Sequence, residues 1–340
     1  MHRIDRRWWR GLAMACLLAA LVGCMPAATP ASLAPTGTAT PIGVAAPSAT
    51  PMAARWTPGQ LEIHLLEVEH GDAQLIVSPT GETMLVDCAR IEFATKVAQY
   101  LREVLGEATV DYLVLSHYHT DHLGAFVPLL RDEGLKVRKA ILDRGGGRDE
   151  LDEGAYRAYY DYVTDPAHNL KRVRLRPGDT IDMGPRMTVR VLAVGDVDTR
   201  TNAGVSVVGE NDSSLVLWLT FGRFDYYTGG DLSGVDSFRY ANVEKAVIPL
   251  LPRQADAAKA NHHAIEYNNN PEFLAALRPQ VLLVSGNTGL IKLATLKRLE
   301  EHSDVYITEP IPGKQAYGDI VLTSKDGDTF VVEGRAYTSK

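Results

Sequence analysis

Cysteine is scarce in this 340-residue sequence: Cys16, Cys24 and Cys88 are the only three. That number cannot staple a disulfide scaffold, so cohesion must come from packing, aided by metal wherever ligands gather. An excess of positive charge is also missing. Against 42 Asp and Glu stand 35 Lys and Arg, a formal charge of −7, which provides no global field for holding nucleic acid and excludes a histone-like or repressor-like binder. Beyond the first 23 residues no apolar run approaches the ~18 residues of a transmembrane helix. No short-period repeat is present, which excludes a solenoid.

What is there begins with an address. Arg3, Arg6, Arg7 and Arg10 precede an apolar run from Leu12 to Val22, the charge and length pattern of an export signal. The run closes on Leu21-Val22-Gly23-Cys24, which resembles a bacterial lipobox and makes Cys24 the expected lipidated N-terminus of the mature protein. Removing residues 1–23 takes away four arginines and one aspartate, so the net charge falls from −7 to −10. Residues 25–54 carry no charge and six prolines among Ala, Thr and Ser, a composition that stays extended and cannot offset its ordering entropy. Residues 24–58 therefore read as a tether and 59–340 as the folded body, held on the extracytoplasmic side of a membrane by the lipid.

From residue 60 the pattern changes to short aliphatic runs: Leu61–Val68, Ala73–Val77, Met84–Val86, Tyr112–Leu115 and Val137–Leu142. Helical spacing appears over Ile91–Leu105, from Asp121 through Leu130, and over Glu150–Val163. A second batch of strand-like runs follows at Met187–Leu192, Leu215–Thr220, Phe224–Thr228, Ala246–Leu250 and Gln280–Val284, with helices expected at Pro271–Leu277 and Leu290–Glu301. Ile320–Thr323 and Thr329–Val332 close the chain as strands around the turn at Lys325-Asp326-Gly327-Asp328. Two batches of strands, each followed by helices, predict an α/β fold in which two sheets pack face to face with helices outside, a four-layer αββα sandwich.

Three places carry chemistry. The first is His117-Tyr118-His119-Thr120-Asp121-His122, between an apolar strand and a helix. His117 and His119 share one side of the turn by two-residue alternation, and Asp121 and His122 open the helix toward a second position, so one loop can serve two metals. Imidazole with carboxylate suits Zn, with Mn as the alternative. The second is Gly229-Gly230-Asp231 after the run Phe224–Thr228, where two glycines permit close backbone approach and Asp231 can bridge two cations. The third is Lys259-Ala260-Asn261-His262-His263-Ala264. Arg253 and Lys259 suggest a thin basic rim beside it. His64 and His70 read as structural residues on or beside the first strand, and Cys88 as a packed thiol.

The H-x-H-x-D-H spacing resembles the metallo-β-lactamase superfamily signature at His117, His119, Asp121 and His122. Together with Val68-Glu69-His70-Gly71-Asp72-Ala73, Pro79-Thr80-Gly81 and Met84-Leu85-Val86-Asp87, it resembles the extracytoplasmic hydrolase domain of the ComEC competence proteins over about residues 60–335. The resemblance implies a metallo-β-lactamase fold and two divalent ions. It makes Asp231 the bridging ligand, by its match to the family's T-G-D segment, and one of His262 and His263 a ligand. His263 is favoured, leaving His262 with Asp121 for substrate phosphate or proton transfer. It makes Asp87 a buttress of the ligand loop, and Asn211 a weak ligand or hydrogen-bond donor where a fuller site has histidine, since His168 lies in a Pro- and Asn-flanked loop. Ala264 departs from the family's glycine, and Glu266 stands where small hydroxyl residues are common. The implied activity is hydrolysis of a phosphodiester by a metal-activated water, with DNA or a phosphorylcholine-bearing wall polymer among the substrates. The rivals are a lactonase or β-lactamase of the same fold, and a metal-free binding lipoprotein on a decayed scaffold. No protein partner is legible.

Overall fold

A computed structural model of the chain describes residues 55–265, 267–286 and 289–340. The expected signal peptide, the Cys24 lipidation site, the tether up to residue 54 and Glu266 lie outside the described residues. Arg55 and Trp56 already belong to the body: their backbone N–H groups donate to Val104 O, and the indole packs on the first helical layer. The packed body thus starts a few residues before 59.

Strands β1 (Leu61–Leu65), β2 (Gln74–Val77), β3 (Thr83–Val86), β4 (Thr109–Val114), β5 (Lys136–Asp143) and β6 (Arg172–Arg174) form one run. A second run holds β7 (Thr180–Asp182), β8 (Met187–Ala193), the short ribbon β9 (Thr201–Asn202) with β10 (Val205–Ser206), β11 (Val216–Phe221), β12 (Phe224–Thr228), β13 (Ala257–Lys259), β14 (Val281–Val284) and β15 (Asp304–Ile307). The chain closes with β16 (Ile320–Ser324), β17 (Thr329–Val332) and β18 (Arg335–Thr338). Among the described residues, one nine-stranded sheet has the order β18-β17-β16-β1-β2-β3-β4-β5-β6, and a seven-stranded sheet has the order β15-β14-β13-β12-β11-β8-β7. The last three strands therefore return to the first sheet, where β16 pairs with β1, Ile63 opposite Leu322, and β17 and β18 extend the edge.

Helices α1 (Ala94–Leu105), α2 (Thr120–Leu123), α3 (Phe126–Arg131) and α4 (Gly154–Thr164) cover the outer face of the first sheet, and α5 (Val243–Val247), α6 (Pro271–Leu277) and α7 (Leu293–Glu300) cover that of the second. Between the sheets, Ile63, Met84, Val114 and Leu142 meet Val189, Leu217, Phe224 and Leu283 in one continuous apolar layer. This is the expected αββα sandwich. Each sheet is antiparallel on one side and parallel on the other: β3 to β6 run parallel in the first, β12 to β15 in the second. Loops leaving the carboxyl ends of parallel strands form the natural crevice of such sheets, and all three chemical segments leave there.

Two expectations need correction. Ala246–Leu250 is not a strand: α5 and a 3-10 turn at Ile248–Leu250 occupy it. The Asn242 side chain caps α5 by accepting from Lys245 N at 3.1 Å, and Pro249 has no N–H for a ladder. The helix from Asp121 to Leu130 is two helices, because Pro128 cannot donate to the Gly124 carbonyl and its ring excludes a straight turn there.

Candidate metal centre

The ligand loop sits where β4 stops. Asp87, at the carboxyl end of β3 and fully buried, accepts from Ser116 N at 2.7 Å, Ser116 Oγ at 2.7 Å and His122 Nδ1 at 2.8 Å. The Asp231 loop comes from the other sheet. Gly230 takes a positive φ of 54°, and a Cβ there would stand 2.7 Å from Ser116 Oγ, so glycine is what lets the two sheets' loops touch. Leu215 N donates to Ser116 O at 2.8 Å and ties them together.

Asp231 lies between two donor sets. Its Oδ1 is 3.2 Å from His122 Nε2 and 3.5 Å from His263 Nε2; its Oδ2 is 3.8 Å from His117 Nε2 and 3.5 Å from His262 Nε2. One ligand atom each from Asp121, His122, Asp231 and His263 falls within 4.8 Å of the others, and the same holds for His117, His119 and Asp231. The structure thus gathers His117, His119, Asp121, His122, Asp231 and His263 from three segments. Asn211 lies at the edge, its Nδ2 3.3 Å from both ring nitrogens of His262.

The tautomers follow from the outer bonds. Ser116 Oγ donates to Asp87, so it accepts from His117 Nδ1 at 3.0 Å. His122 Nδ1 donates to Asp87, while Ser285 Oγ donates to Asp72 and accepts from His263 Nδ1 at 3.1 Å. Each ring then turns an Nε2 lone pair toward Asp231, the arrangement that second-shell bonds impose on metal-bound histidine. His119 faces His117 Nε2 with its Nδ1, at 3.1 Å.

Does this donor set fit a divalent cation? Asp231 Oδ1, His122 Nε2 and His263 Nε2 are buried atoms without a hydrogen-bond partner, close together. Burying such groups unpaired is costly, and a cation at their convergence would satisfy all three. Four carboxylates, Asp72, Asp87, Asp121 and Asp231, stand against one buried ammonium, Lys259. Burial disfavours the charged forms of His262 and His263. At His263 the Asp231 and Asp72 carboxylates overcome it and raise the ring to about 9; at His262 burial prevails and the ring falls to about 4.

Several contributors were not legible. Lys259 and Asp72, both fully buried, form an ion pair beneath the site, and Lys259 Nζ also donates to Gly230 O at 3.1 Å. Asp72 therefore does more than shape a turn, and Lys259 is no part of a basic rim. Arg253 is likewise engaged, with buried Asp225. Gly71 is obligatory, because a Cβ there would stand 2.6 Å from Asp121 O. His70 reaches the site too: its Nε2 is 3.2 Å from Asp121 Oδ2 and its ring centroid 4.5 Å from that of His263. A histidine just before Gly-Asp was the available signal. His64 is structural, bonded to Tyr100 and Glu62. His168 is exposed and stacked on Tyr162, and Cys88 is buried with its thiol pushed up by burial.

ComE operon protein 3 of Bacillus subtilis (strain 168) is 22% identical over 241 residues, 66% of this chain and 28% of that protein, so the chain spans under a third of its curated relative. The metallo-beta-lactamase fold protein YhfI from Bacillus subtilis superposes over 76% of this chain and 98% of its own, with 15% identity and a TM-score of 0.47. Zn(2+)-bound PqqB from Methylobacterium extorquens covers 69% of this chain and 85% of its own at 12% identity and a TM-score of 0.45. The family model described as the Metallo-beta-lactamase superfamily matches residues 67–216 of this chain.

Proposed function

We propose that this chain is a metal-dependent hydrolase of phosphodiesters that works outside the cytoplasm from a lipid anchor at Cys24. The observation that carries the reading is the placement of Asp231, one oxygen toward each of two donor sets. Bound there, a pair of divalent ions, Zn or Mn, would supply Lewis acidity and an acidified water held in line with an electrophilic centre. The chain's own residues do the rest. Asp87, Ser116, Ser285 and Asp72 fix the imidazole tautomers, and the Lys259 ammonium keeps Asp72 ionised beside the ligands.

A phosphodiester suits two neighbouring cation sites, one beside the attacking oxygen and one beside the leaving oxygen. With Lys259 buried, the third segment offers a polyanion only the exposed Arg253, which is paired with Asp225, and this thin positive rim favours a small phosphodiester or a wall-polymer head group over duplex DNA. The ComE resemblance and the lipobox support the extracytoplasmic placement. The test is turnover of bis(p-nitrophenyl) phosphate, nitrocefin and an acyl lactone by metal-loaded full chain, with His119→Ala as control. Phosphodiester turnover lost in the variant is expected; turnover of only the lactam or lactone makes it the other hydrolase, and no metal uptake makes it a binding protein.

A further inference from the structure

Two imidazoles and a carboxylate give the His117, His119 and Asp231 set one protein donor fewer than the Asp121, His122, Asp231 and His263 set. Resting on the two-cation reading above, we infer that His262 is the missing ligand. His262 Nε2 is 3.5 Å from Asp231 Oδ2, the oxygen that also faces His117 Nε2. Asn268 decides which ring nitrogen carries the proton. Its Nδ2 donates to Leu232 O at 2.6 Å, so its Oδ1, 3.0 Å from His262 Nδ1, must accept. Nδ1 therefore holds the hydrogen, and Nε2 turns a lone pair toward a carboxylate oxygen. Two acceptors 3.5 Å apart with no proton between them repel, and a cation between them removes the repulsion. The Asn211 amide turns its Nδ2, a donor, toward this ring.

The backbone explains how neighbours in sequence reach opposite sides of Asp231. His262 (φ 48°), His263 (φ 51°) and Ala264 (φ 59°) are consecutive left-handed residues, a backbone that side chains other than glycine rarely adopt. That turn sends His262 to Oδ2 and His263 to Oδ1, with their ring centroids 6.0 Å apart. A ring whose Nε2 is committed to a cation cannot also hand a proton to a leaving group, so this assignment replaces the proton-transfer role expected for His262.

The test is metal binding by the full chain, read by chelator competition and by native mass, together with cadmium NMR of the loaded wild type. Two ions are expected in the wild type, with scalar coupling between one cadmium and the His262 ring. His262→Ala and His119→Ala should each weaken the same one of the two ions at least 100-fold, whereas His263→Ala should weaken the other. Asn268→Leu, which leaves the ring in place, should weaken the first ion roughly 10–100-fold. Two tight ions in His262→Ala, or cadmium with no coupling to His262, would overturn the inference while leaving the two-cation reading standing. A wild type that takes up no ion would instead sink the reading on which it rests. The cadmium measurement holds even if a variant fails to fold.

Discussion

Asp87 is held at a left-handed φ of 60° and accepts three hydrogen bonds, two of them from groups that fix His117 and His122. Asparagine tolerates that backbone well but offers one acceptor oxygen rather than two. Asp87→Asn should therefore lower metal affinity roughly 10–100-fold with little change in the unfolding midpoint of the EDTA-treated protein, a split read by chelator competition beside thermal melts. Lys259 is the opposite case. Its ammonium has no exposure and is paired to a carboxylate with none, so Lys259→Met strands a buried charge and should cost about 3–5 kcal/mol in urea unfolding. Adding Asp72→Asn to that variant should restore part of the loss, because the two changes act on one pair; strictly additive losses would show that the pair is not coupled. At this scale the sequence displayed the candidate ligands by residue type. It did not display their supports, since Asp72 meets Ser285 across 213 residues and nothing local to either marks the partner.

Elements were legible where a local signal coincided with packing. Pro271–Leu277 and Phe224–Thr228 form as the pattern indicates. In α6 the Asn270 side chain accepts from Phe273 N at 2.8 Å, and Pro271 takes the first position. Asn270→Ala should cost about 1–2 kcal/mol, measurable by thermal unfolding. The change should also loosen the histidine segment, because Asn270 N and Asn269 N both donate to Glu244, whose buried carboxyl also accepts from Asn261 Nδ2. Short strands such as β13, with the sequence Ala-Ala-Lys, were illegible. Three residues without β-branching carry no periodicity, and their conformation is set by the parallel neighbours β12 and β14. The same dependence on neighbours explains Ala246–Leu250, where an apolar run suits strand and helix alike until the Asn242 cap and Pro249 decide.

At the scale of the molecule, protons and cations compete for the same carboxylates. In the metal-free protein His263 is raised to about 9 by Asp231 and Asp72 against the effect of burial, while in the unfolded chain it titrates near ~6.5. Its contribution to stability is therefore full below about 6.5 and is lost as pH rises through 9. A bound cation replaces the proton and keeps the stabilisation. The gap in Tm between metal-loaded and EDTA-treated protein should then widen from pH 6.5 to 9, and loading at pH 7 should release protons, seen calorimetrically in buffers of different ionisation enthalpy. A constant gap would mean that His263 and Asp231 are uncoupled. No helix among the described residues is long and apolar enough to cross a membrane, so the proposed anchorage rests on Cys24. The sequence by itself determined the class of fold and the three segments that carry candidate ligands, because hydrophobic period, glycine placement and the H-x-H-x-D-H spacing are local properties of a chain. Only the tertiary structure decided which oxygen of Asp231 each histidine faces, that adjacent His262 and His263 part to opposite sides, and that Lys259 is buried beneath the site. Those are relations between loops of two different sheets, and they exist only once the apolar layer between the sheets has brought the loops together.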